Sequence, residues 1–149
     1  MRHVSRFALA ALLVACDDGT APAPATEAGR YVATSLRGRP LPAVTDSSAQ
    51  EFGVLLADTL ELDGRGGGRR AYAVRRVHRA LGIDTVYRVA APTAYRRDGA
   101  RLVVGSFTPC PPNASCLAND EGTVEPTRVT LATQRYAGGD PVVLARVTP

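Results

Sequence analysis

Thr93-Ala-Tyr-Arg-Arg-Asp-Gly-Ala-Arg-Leu-Val-Val-Gly-Ser106 is the stretch on which the fold turns. Two runs, 93–97 and 101–106, flank Asp98-Gly99, and Asp-Gly tolerates the positive φ angles that a tight type I′ turn demands. The spacing predicts two antiparallel strands joined by a short loop. The same pattern extends outward in both directions. Residues 31–36 alternate and meet the turn Arg37-Gly38-Arg39-Pro40; the run 51–56 puts Phe52, Val54 and Leu56 on one face, and 59–62 continues it to Asp63-Gly64. Gly64-Arg-Gly-Gly-Gly68 reads as a hairpin loop before 70–79, where Tyr72 and Val74 alternate with small residues and arginine. Gly82 separates that run from 83–90. The last pair, 128–133 and 142–147, joins through Gly138-Gly139-Asp140-Pro141. No window beyond Arg30 holds a helical period over ten positions. About eight strands therefore predict an all-β chain, and closure into an antiparallel up-and-down barrel removes exposed edges.

At 149 residues the chain has room for one domain. Its composition, 45% hydrophobic and 21% charged, excludes a disordered acidic tail, a collagen-like repeat and a polytopic membrane protein. Every one of its 18 basic residues is arginine.

The first residues read as an address. Met1-Arg-His-Val-Ser-Arg6 is basic, and 7–15 is apolar but shorter than the roughly 20 residues that span a bilayer. That order matches the n-region and h-region of a secretory signal. The run ends Leu13-Val14-Ala15-Cys16, which resembles the lipobox of bacterial lipoproteins. The resemblance implies a signal peptide over 1–15, cleavage before Cys16, and a diacylglyceryl group on the Cys16 thiol. Cleavage removes Arg2 and Arg6 and halves the net charge of +4. Residues 16–29, rich in Pro and Ala, read as a flexible tether, and 30–149 as the domain. Asp17 resembles the inner-membrane retention signal of enterobacterial lipoproteins, a rule that does not hold in all bacteria. The expected address is the bacterial cell envelope, lipid-anchored and extracytoplasmic.

With Cys16 committed to lipid, Cys110 and Cys116 are expected to pair in the oxidising compartment that such a chain enters. A metal site is the rival, but Cys-x5-Cys lacks the usual zinc spacing and has no histidine nearby. After cleavage His78 is the one remaining histidine, and no Gly-x-Ser-x-Gly occurs. No cofactor, metal or catalytic set is expected. The pairs Arg69-Arg70, Arg75-Arg76 and Arg96-Arg97 split between two faces under strand alternation, so no nucleic-acid patch is expected. Asp58, Glu61 and Asp63 border a turn and are expected to solvate it.

Three passages together resemble the lipocalin-like domains of small bacterial lipoproteins. They are Gly29-Arg-Tyr-Val-Ala-Thr-Ser-Leu-Arg-Gly-Arg-Pro-Leu-Pro42, Tyr95-Arg-Arg-Asp-Gly-Ala-Arg-Leu-Val-Val104, and Arg128-Val-Thr-Leu131 with 142–147. The resemblance implies a barrel of about eight strands and no catalytic residues. Two expectations follow for its work: a non-catalytic envelope lipoprotein that binds a small apolar ligand, or a solidly packed barrel that acts as a protein-interaction or inhibitor module.

Replacing Cys16→Ser is expected to abolish acylation and leave uncleaved precursor, read by labelled fatty acid and intact mass. Non-reducing peptide mapping across residues 107–128 should return a Cys110–Cys116 crosslink, and two free thiols there would refute the pairing.

Overall fold

The computed structural model describes residues 27–109 and 118–148. Cys16, Cys110 and Cys116, with the lipidation and disulfide expected at them, lie outside the described residues. The described strands are β1 (Gly29–Leu36), β2 (Arg39–Pro40), β3 (Ala43–Ser47), β4 (Glu51–Leu62), β5 (Gly67–His78), β6 (Ile83–Asp98), β7 (Arg101–Gly105), β8 (Asp120–Glu125), β9 (Arg128–Thr133) and β10 (Asp140–Val147). One helical turn, α1 (Gln134–Ala137), links β9 to β10.

All pairings are antiparallel, in the order β2-β1-β10-β9-β8-β7-β6-β5-β4-β3, and β1 also pairs with β4. That last pairing closes eight strands into an up-and-down, lipocalin-like barrel. β1 runs against β10 from Arg30↔Val147 to Leu36↔Val142, while its first half meets the end of β4, Gly29↔Leu62 to Val32↔Thr59. A register shift between Ala33 and Ser35 bends β1 away from β4. Arg37 and Gly38 then reverse the chain with φ of 54° and 74°, two positive angles in succession as a type I′ turn requires. β3 takes the place beside β4 that β1 has left, Ala43↔Leu55 to Ser47↔Phe52.

Several expected elements shift. The runs 83–90 and 93–97 are one strand, β6, which passes straight through Pro92. Asp98 pairs with Arg101, so Gly99 (φ 57°) and Ala100 form the loop and Asp98 belongs to the strand. The apolar face of Phe52, Val54 and Leu56 is the outer one, with Leu56 exposed, whereas Gly53 and Leu55 point inward. β8, β3 and α1 carry no clear sequence signal. β8 reads Asp-Glu-Gly-Thr-Val-Glu, a run of poor strand formers held by pairing on both sides.

The inward residues fill the interior. Tyr31, Leu36, Leu55, Leu60, Leu102, Val104, Val129, Leu131, Val142 and Leu144 are all nearly fully buried in one cluster. An eight-stranded barrel is just wide enough for side chains to meet across its axis. Gly122 lets β8 lie against β9: a Cβ there would sit 1.8 Å from the Thr130 carbonyl oxygen. Because that neighbour is backbone, Gly122→Ala should force the two strands apart and cost about 1–3 kcal/mol in urea unfolding.

Candidate functional site

A bulge in β4 creates the most polar spot in the interior. The β4–β5 register slips between Leu55 and Ala57, so Leu56 is an extra residue opposite the Val74–Ala73 step. Before the bulge Gly53 and Leu55 face inward; after it the inward residues are Asp58, Leu60 and Leu62. Strict alternation would have put Asp58 in water.

Asp58 and Asp120 are completely buried, and Arg70 is 3% exposed. Arg70 grips Asp58 with two parallel bonds, Nε to Oδ1 at 3.1 Å and Nη2 to Oδ2 at 2.6 Å. Its Nη1 pairs with Asp120 Oδ2. Arg135 Nε donates to the same Asp120 oxygen at 3.0 Å, and the Gln134 backbone N–H donates to Oδ1 at 3.0 Å. Tyr136 donates its hydroxyl to Asp58 Oδ2 and accepts from Arg70 Nη2 at 3.3 Å. The Tyr72 ring packs against Tyr136, centroids 5.3 Å apart. Two carboxylates, two guanidiniums and one phenol thus join β4, β5, β8 and α1, with charges balanced.

Burial opposes the Arg70 charge, but hydrogen bonding and attraction from Asp58, with Tyr136 and Asp120, outweigh it and raise its pKa. Burial, then the Asp58 charge, pushes the Tyr136 phenol well above its usual value, so it stays a neutral donor. Chemically the cluster is a clasp: each acceptor is filled from within.

Outside it, a cleft of about 370 Å³ is lined by Arg37, Thr45, Asp46, Arg76, Arg135 and Asp140 among others. Each of its arginines is paired, Arg37 with Asp140, Arg76 with Asp46 and Arg135 with Asp120. Among the described residues no group of three or more His, Cys, Asp or Glu is placed to hold a metal, and no helix is long and apolar enough to cross a membrane.

The other notable feature is a wing. β5 and β6 pair along twelve residues, Gly67↔Ala94 to His78↔Ile83, but β7 meets β6 only from Ala94 to Asp98. Residues 83–92 therefore have β5 on one side and no strand of the described residues on the other. All ten are exposed, and Leu81, Ile83, Val86, Tyr87 and Val89 supply most of the large apolar exposure found among the described residues. Tyr87 is 55% exposed.

The expected site residues fall unevenly. Asp63 does brace the turn after β4, accepting from the N–H groups of Arg65 (2.7 Å) and Gly67 (3.0 Å), and exposed Glu61 lies 3.8 Å from Arg30. Asp58 departs from its expected solvating role because the bulge turns it inward. The arginine pairs split as expected at Arg69 and Arg70, but Arg70 is the clasp's centre. His78, on the strand β5, is half-buried beside Glu51, Nε2 to Oε1 3.1 Å.

The chain matches no protein-family model, no curated protein and no solved structure. Functional inference therefore rests on its own residues.

Arg70→Met leaves buried Asp58 without a counter-ion and Asp120 with Arg135 alone, and should cost about 3–5 kcal/mol in urea unfolding at neutral pH. The raised Tyr136 pKa makes its contribution complete below the unfolded value near 10 and lost progressively as pH rises beyond it. Tyr136→Phe should accordingly be less stable at pH 7 yet show a shallower loss of stability between about pH 10 and 12.

Proposed function

We propose that this protein is a non-catalytic lipoprotein of the bacterial cell envelope, tethered through Cys16, that works by contact with protein. The observation that carries the reading is the division of labour between barrel and wing. On the inside, the space where a carrier would seat an apolar molecule holds leucines, valines and the Arg70–Asp58–Asp120 clasp. An apolar ligand placed there would strip hydrogen bonds from buried charges, at a cost of several kcal/mol. On the outside, apolar side chains gather on one projecting hairpin whose backbone edge is covered by no strand of the described residues, the combination that marks a protein-interaction surface. The alternative of an apolar-ligand carrier lacks such support.

A photo-crosslinking residue in place of Tyr87, introduced in the native host, tests the reading. Adducts of protein mass at position 87, and none at the outward Thr123 on β8, are expected. Native mass spectrometry of the protein released from the envelope should then show no small molecule at one per chain. A stoichiometric small molecule together with no adduct at Tyr87 would overturn the contact reading in favour of the carrier.

A further inference from the structure

The wing's edge has a directionality that follows from its hydrogen bonds. Tyr95 donates its backbone N–H to the Gly66 carbonyl at 2.8 Å, so Tyr95 and the other odd residues of β6 turn their backbone groups toward β5. The even residues turn theirs the other way. Ala94, Arg96 and Asp98 spend them on β7, opposite Gly105, Val103 and Arg101. Asp84, Val86, Arg88 and Ala90 present theirs to an edge that no strand of the described residues occupies. Pro92, the next even position, has no N–H to present, which is where a strand edge tolerates proline.

Side chains on that edge are self-complementary. The segment reads Ile83-Asp-Thr-Val-Tyr-Arg-Val89. Laid antiparallel against a second copy about Val86, it sets Val86 opposite itself, Asp84 opposite Arg88 on both sides, Thr85 opposite Tyr87, and Ile83 opposite Val89. Asp84 and Arg88 are even, so the register that pairs the charges is also one in which the free N–H and C=O groups face each other. Sliding one copy by four residues, which puts Asp84 against Asp84 or Arg88 against Arg88, places like charges directly opposite, which is destabilising. Arg88 makes no ion pair with the described residues, while Asp84 already holds Arg75, Nε to Oδ1 at 2.8 Å. In the paired arrangement Asp84 would sit between Arg75 of its own chain and Arg88 of the other.

We infer that the partner of the wing is a second copy of this chain, joined through antiparallel β6–β6 pairing centred on Val86. The pairing joins two barrels by continuous sheet, with Val86, Asp84 and Arg88 supplying three hydrogen-bonded residue pairs and six backbone bonds. Ile83 and Val89 cover each other on the concave face, and a two-fold axis through Val86 makes the interface isologous and closed. The inference rests on the protein-contact reading above but fails separately from it, because the mass of a Tyr87 adduct distinguishes a foreign protein from a second copy.

The test uses the full chain in detergent, with a short thiol-to-thiol crosslinker. Val86→Cys should link to itself, recovered after trypsin as two copies of the peptide 80–88 joined at position 86. Only two chains can give that product, so Cys16, Cys110 and Cys116 do not confuse it. Ala90→Cys should give no self-link, since this register sets Ala90 opposite Gly82 and the two copies of position 90 about 27 Å apart. In sedimentation the unmodified chain should be dimeric and Val86→Pro monomeric with unchanged circular dichroism, because that N–H faces away from β5 and no strand of the described residues lies on that side. Equal linking at 86 and 90, no linking at 86, or a Val86→Pro dimer would each overturn the pairing. A foreign protein on Tyr87 with no link at 86 would overturn it while leaving the contact reading in place.

Discussion

Arg70, bonded twice to Asp58 on the neighbouring strand and once to Asp120, ties the β4–β5 ladder to β8, which no backbone ladder joins to it. Arg70 stands on β5, Asp58 on β4, Asp120 on β8 and Tyr136 on α1, so the clasp reaches across the barrel as well as along its wall. A hydrophobic core is tolerant of small rotations, because dispersion has little directionality. A bidentate guanidinium–carboxylate contact is not, since both donors must meet both acceptors in one plane. The clasp therefore sets how β8 and α1 lie over the β4–β5 sheet. Its worth lies in mutual dependence: each charge makes the burial of the next one tolerable.

Several features are consequences of that constraint. The β4 bulge has to fall where it does, because it is the step that moves the inward face from Leu55 to Asp58. α1 is only four residues long, yet Thr133 accepts from the Arg135 N–H at its start, Gln134 and Arg135 both donate to Asp120, and Tyr136 plugs the space beside Tyr72. A helix this short draws little stability from its own hydrogen bonds. It is held by the clasp it helps to complete. Most of the large apolar exposure among the described residues lies on the β5–β6 wing instead. The proposed protein contact rests on that wing and on the filled interior, and the proposed second copy rests on the wing's self-complementary edge.

Much of the architecture is legible along the chain, for reasons that are local. Gly99, Gly82 and Gly64 mark hairpin turns because only particular backbone angles reverse a strand tightly, and Tyr72 and Val74 mark an inward face because β residues alternate. Even there the reading is inexact: Asp98-Gly99 suggests a turn centred one residue earlier than the Asp98↔Arg101 pair allows. Pro92 suggests a break, but it sits on an open edge where no N–H is missed. The candidate site is hardly legible at all. Asp58, Arg70, Asp120, Arg135 and Tyr136 share no spacing, and charged residues on strands ordinarily face water. The one signal is parity: Arg70 shares the inward face of Tyr72 and Val74.

By itself, then, the amino-acid order determines an all-β chain with turns near these places, since turn chemistry and period-two alternation act over a few residues. The expectation of a lipid anchor at Cys16 likewise rests on a contiguous motif, Leu13-Val14-Ala15-Cys16. The tertiary structure decides the rest. A bulge is one extra residue at Leu56, invisible in a pattern that reads equally well on either face, and only the register against β5 says which face turns inward from Asp58 onward. Which edge of β6 the other described strands leave uncovered is decided by how short β7 is, and by the parity of hydrogen bonds that Tyr95 establishes with Gly66. Both are relations between strands, and a relation between strands exists only once the sheet has closed.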